Sequence, residues 1–174
     1  TVLEKFDPEV VRFFILRAHY RSPLNYSDVH LDDAKLALQR LYVSLRGFKI
    51  EHSDVDWSHP LAHKFKEAMD DDFNTPEAIS ILFDLANEIN KSKSAPLADL
   101  LRALAKTIGL LERDPETFLK GDEKIYLNID MLILQRYEAK TNKNFKEADR
   151  IRSLLLESGI VLEDTPQGTI WRKE

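Results

Sequence analysis

The 174-residue chain contains no cysteine. That absence removes disulfides, thiol nucleophiles and thiolate metal sites together, and it fits a reducing compartment. No uninterrupted apolar run approaches the ~20 residues that a membrane helix needs. Five glycines and seven prolines are too few for a collagen-like or low-complexity chain. The opening residues TVLEK carry no initiator methionine and no charged-then-apolar signal pattern, so the sequence reads as a piece of a longer protein. A Walker loop, GxGxxG, HExxH and a nucleophile elbow are all missing, and nothing in the sequence signals catalysis. The basic excess of a nucleic-acid-coating protein is missing too, since net charge is −5 and the pI about 5.6.

What is present is 43% hydrophobic and 32% charged residues, enough for one or two packed domains. The charge is uneven. Positions 136–152 hold Arg136, Lys140, Lys143, Lys146, Arg150 and Arg152 against Glu138, Glu147 and Asp149. This local positive footprint leaves room for a specific RNA contact.

Helical signals dominate residues 1–113. Asp7-Pro8-Glu9 combines an N-cap, a proline at the first helical position and an acid in the first turn, ahead of Val10, Val11, Phe14 and Ile15. Ser27 starts a second stripe through Leu31, Leu38 and Leu45 that stops at Gly47. His59-Pro60, Thr75-Pro76-Glu77 and Ala95-Pro96 each open a further helix. These residues predict an antiparallel helical bundle. Residues 114–125 have linker composition. Residues 126–174 then predict a small α+β tail. One helix carries Ile129, Leu132, Ile133 and Arg136 on one side, and a second is capped by Asn144 and closed by Gly159. A β-hairpin follows: Ile160-Val161-Leu162, a turn over 164–168, and Thr169-Ile170-Trp171. The fold class is mainly α.

Two metal readings arise. His59 and His63, spaced i, i+4, share a helix face, but no third ligand is signalled among the five histidines (His19, His30, His52, His59, His63). Asp70-Asp71-Asp72 suggests Mg²⁺, against the plainer reading of a solvated helix end. His19 to Tyr26 is a polar-aromatic stretch that either caps the bundle or docks on another domain. The corner Lys140-Thr141-Asn142-Lys143-Asn144-Phe145 is basic with one aromatic, and Asp149 follows one helical turn later. A ring to stack a base, a carboxylate to accept from base N–H groups and cations for phosphates are what single-stranded RNA reading requires. On residue types alone, Phe145 packing the corner is the favoured reading.

Four segments carry a resemblance: DPEVVRFF at 7–14, HYRSPLNYS at 19–27, AMDDDFNTP at 68–76 and GIVLEDTPQGTIW at 159–171. Together they resemble bacterial cysteinyl-tRNA synthetase downstream of its KMSKS loop. The resemblance spans essentially the whole chain. A bundle of this DALR type also suits other class I synthetases, and the terminal hairpin points to the cysteine enzyme. The resemblance implies that the catalytic domain, with its HIGH and KMSKS motifs, its ATP site and its thiolate zinc, lies upstream, so no cofactor is expected here. It implies a cytoplasmic monomer that binds tRNA-Cys and its own catalytic domain, with no membrane contact. By position, the base-stacking aromatic, usually Trp in the family, is Phe145. The carboxylates are Asp149 and Asp164, and the basic residue before the corner, often Arg, is Lys140. Lys143, Lys146 and Arg150 supply salt-sensitive phosphate contacts. Asp164→Ala is then expected to weaken discrimination between anticodons more than total RNA binding. The rival reading is a helical docking module for the catalytic domain, with no RNA recognition of its own.

Overall fold

The computed structural model describes residues 2–49, 54–120, 126–166 and 168–173. Among them are nine helices and one two-stranded sheet, divided into two compact units, Thr1–Pro115 and Glu116–Glu174. The expected mainly helical class with a terminal hairpin is what the structure has. His52, Gln167 and residues 121–125 of the expected linker lie outside the described residues.

In the first unit, α1 (Val2–Lys5) precedes α2 (Pro8–Leu16), α3 (Asp28–Ser44), α4 (Pro60–Asp70), α5 (Thr75–Ser92) and α6 (Ala95–Thr107). The caps follow the local grammar. Asp7 accepts from the Glu9 amide, Ser27 from His30, and the His59 ring from Leu61. At α5 the cap is Asn74, which accepts from Glu77, and Thr75 is the first helical residue. The Asn-Thr-Pro-Glu run offers two capping residue types in a row, and the upstream one is in reach of the third amide. Helices α4, α5 and α6 are joined only by Asp71–Asn74 and Lys93–Ser94, connections short enough to make them antiparallel neighbours. Phe13, Leu38, Leu41, Phe65, Leu82, Leu85, Ile89, Leu101 and Leu104 form the buried core.

Glu9 is no solvated first-turn acid. It is 8% exposed, and its carboxylate accepts from the Tyr42 hydroxyl at 2.9–3.0 Å, the Leu111 amide at 2.7 Å and the Arg113 guanidinium at 3.1–3.2 Å. Arg113 also forks onto Asp7 at 2.7 and 2.8 Å. The two acids of the α2 start therefore tie down the chain that follows α6. Burial beside this carboxylate pushes the Tyr42 phenol well above its ordinary value.

The second unit begins within the stretch of linker composition, where Pro115–Lys120 form α7. A proline at the first position and Glu116 in the first turn are a helix start, and Leu119 is fully buried. Then come α8 (Tyr126–Thr141), α9 (Phe145–Glu157), β1 (Ile160–Thr165) and β2 (Gly168–Lys173). Its core is Ile129, Ile151, Leu155, Ile160, Leu162 and Trp171, flanked by Leu132 and Ile133. The strands are antiparallel, with Leu162 opposite Trp171, Asp164 opposite Thr169 and Thr165 opposite Gly168. The hairpin is thus longer and its turn tighter than the sequence suggests, and Asp164 sits in a strand.

Candidate nucleic-acid interface

Strand alternation puts Asp164 on the same face of the hairpin as Ile160 and Leu162, toward the core. Helical spacing puts Ile129, Leu132, Ile133, Arg136 and Lys140 on one face of α8. Where the two faces run past the end of the apolar core, four donors converge on one carboxylate. Arg136 forks onto it, Nη1 to Oδ1 at 2.9 Å and Nη2 to Oδ2 at 3.0 Å. Lys140 Nζ donates to Oδ2 at 2.9 Å and Thr169 Oγ1 to Oδ1 at 2.7 Å. Arg136 also reaches the Thr169 hydroxyl at 3.3 Å. Its stem lies in the core and the residue is 4% exposed, whereas the Asp164 side chain is 51% exposed. The end-on approach through both Nη atoms leaves the buried Nε without a partner.

Two of the sequence-derived site residues, Lys140 and Asp164, are therefore bound to each other. Arg136, at the centre of the cluster, is the residue that sequence reasoning missed. Its signal was a charge inside an otherwise apolar stripe. The Arg136 fork first, then Thr169 and Lys140, hold the Asp164 carboxyl far below the usual carboxylate range. A lowered folded-state pKa stabilises above the unfolded value of ~3.9 and is lost below it. The tail is expected to keep constant stability above about pH 5 and to weaken as pH falls through about 4. Urea titration of Asp164→Asn should lack that acid-side fall. An unchanged fall would assign it to other carboxylates.

The α8–α9 corner is closed by backbone. The Asn144 amide donates to the Ala139 carbonyl at 2.8 Å, Lys143 has a left-handed φ of 57°, and the Asn144 side chain accepts from the Glu147 amide. Only the small Ala139 and Ala148 are buried there. Phe145 instead stands 62% exposed, which overturns the corner-packing reading. Asp149, one turn on, is exposed and has no hydrogen-bond partner among the described residues; Lys143 and Lys146 are exposed with none for their side chains. Arg150 differs. Its guanidinium is held by Glu147 at 2.7 and 2.9 Å.

The metal readings find other occupations. The His59 ring caps α4, and His63 lies 3.4 Å from Glu67. Asp72 accepts from the Tyr20 hydroxyl at 2.8 Å and from Arg21 at 3.2 Å. The stretch after α2 is thus tied to the loop before α5. Among the described residues, no three His, Cys, Asp or Glu side chains are grouped to hold a metal ion, and no helix is long and apolar enough to cross a membrane.

Residues 64–112, from α4 to the turn that follows α6, match the DALR domain family, an anticodon-binding domain. The helical unit thus contains a DALR-type segment over α4 to α6. The chain is similar to the C-terminal part of cysteine–tRNA ligases. It is 61% identical to the cysteine–tRNA ligase of Methylobacillus flagellatus over 99% of this chain and 38% of that protein. For the same enzyme of Cupriavidus necator the figures are 60%, 99% and 38%, and for that of Aromatoleum aromaticum 57%, 99% and 39%. The chain spans a little over a third of the length of these curated relatives.

Proposed function

We propose that this chain is the tRNA-binding, anticodon-recognising part of a cytoplasmic, monomeric cysteine–tRNA ligase that attaches cysteine to tRNA-Cys with ATP. Catalysis, ATP binding and a thiolate zinc site belong to the part of the relatives that this chain does not cover, and that part is its second partner. The observation that carries the reading is the α9 start. Phe145 offers an exposed ring face, Asp149 one turn on a carboxylate with no hydrogen-bond partner among the described residues, and Lys143 and Lys146 exposed cations with none for their side chains there. The ring stacks a base, Asp149 accepts from base N–H groups, and the lysines neutralise phosphates.

The anticodon and the amino acid end lie at opposite ends of a tRNA, so the contribution to catalysis is indirect. Binding energy selects the tRNA and orients its acceptor end toward the catalytic part. Since Phe145 is exposed, Phe145→Ala leaves the fold intact and is expected to weaken tRNA binding by about 1–3 kcal/mol, the usual worth of a base–aromatic stack. Filter binding of a tRNA-Cys transcript and of the same transcript with a changed anticodon, at ~50 and ~200 mM salt, tests the function. Tighter binding of the native anticodon at both salts supports it. Binding that ignores the anticodon and vanishes with salt favours the docking-module reading, which draws support from the open cavity of about 360 Å³ that Ile15, Leu16, Tyr20 and Phe73 line in the helical unit.

A further inference from the structure

Asp164 is the second carboxylate placed at the anticodon, yet it has no acceptor site to offer. A carboxylate has about four lone-pair directions on its two oxygens. Here Arg136 and Thr169 take those of Oδ1, and Arg136 and Lys140 those of Oδ2. A base N–H reaches this group only if one donor leaves.

The four bonds are unequal. The two from Arg136 form a planar fork on a buried guanidinium that cannot lose its proton, so their rupture strands a charge in the tail core. Thr169 sits directly across the sheet from Asp164, and the register holds it there. Lys140 makes a single bond from the last turn of α8, on a flexible stem whose side chain is 42% exposed. An exposed ion pair of this kind is held weakly. Lys143 lies three residues further on, so the released ammonium moves into an already cationic surface where phosphate would be welcome.

We propose, resting on the function above, that Lys140 is a displaceable placeholder on Asp164 whose position a base N–H takes, and that Arg136 is the positioning residue that holds the carboxylate in place through the exchange. The freed Lys140 then faces the RNA backbone. Arg136 never touches RNA. It sets the plane and the charged state of the group that does.

The test uses the full 174-residue chain with the two transcripts. Lys140→Met lies on the surface and leaves the fork intact. It is expected to lower affinity for both transcripts alike and to preserve their ratio. It should also shrink the affinity lost between ~50 and ~200 mM salt by about threefold, as one phosphate contact disappears. Arg136→Lys keeps the charge and loses the fork. With Trp171 fluorescence in a Trp57→Phe background confirming the fold, it should cut the anticodon ratio at least about fivefold at an unchanged salt slope. If Lys140→Met abolishes the ratio and leaves the salt slope alone, Lys140 stays on Asp164 in the complex and the proposal is overturned. That result decides the matter even where Arg136→Lys does not fold. A wild-type chain that ignores the anticodon sinks the underlying function instead, and is seen before any variant is made.

Discussion

Asp164→Ala is expected to destabilise the tail by about 3 kcal/mol, because it strips the buried Arg136 guanidinium of its hydrogen-bonded carboxylate and leaves only the field of Asp149 to offset its charge. The figure sits at the low end for a broken buried pair, since half of the Asp164 side chain is open to water that can enter behind it. A unit of about sixty residues rarely holds more than ~3–5 kcal/mol in total, so most of its margin goes. Fluorescence of Trp171, buried in the tail core, isolates that unit once the exposed Trp57 is replaced by Phe. A urea midpoint that moves by less than the equivalent of ~1 kcal/mol would show the guanidinium rehydrated in place. The consequence for function is practical. Asp164→Ala conflates unfolding with lost recognition, so the selectivity effect expected of it from sequence cannot be read from that variant alone.

The helical unit has an ionic cluster of its own at Asp7, Glu9 and Arg113. Glu9→Ala is expected to cost it about 3 kcal/mol, again as the loss of one partner from a buried ionic cluster. It would remove the carboxylate that accepts from the Leu111 amide and the Tyr42 hydroxyl and that pairs with Arg113. Glu9→Gln preserves shape and one acceptor and should cost about half as much. Far-ultraviolet circular dichroism in urea reads the helical unit, while the Trp171 signal should stay in place. Movement of both signals together would mean that the two units unfold as one.

These two clusters mark the limit of what was legible in the sequence. Helix starts at Asp7, Ser27, His59 and Asn144 were readable because a cap and its amide lie within three residues of each other. The apolar stripes of α5 and α8 were readable for the same reason. Arg136 and Asp164 are 28 positions apart, and Arg113 and Asp7 are 106 apart. Periodicity carries no record of such pairings, so Glu9 read as a first-turn acid and Asp72 as a solvated helix end. Phe145 failed in the opposite direction. Its aromatic character argued for packing, whereas the residues buried at that corner are the two alanines and the ring stands exposed. The residue types of the interface were visible; which of them are free and which are spoken for was not.

The Arg136–Asp164 tie also bears on how this chain tolerates change. Replacing both members of a buried ion pair with well-packed apolar residues is often neutral or stabilising, while replacing either alone is not. Positions 136 and 164 are therefore bound to vary as a couple. A library sorted for heat resistance alone would drift toward an apolar couple, and its winners would be sturdier tails with no carboxylate left at position 164. Keeping the charged couple requires a selection for the proposed RNA recognition.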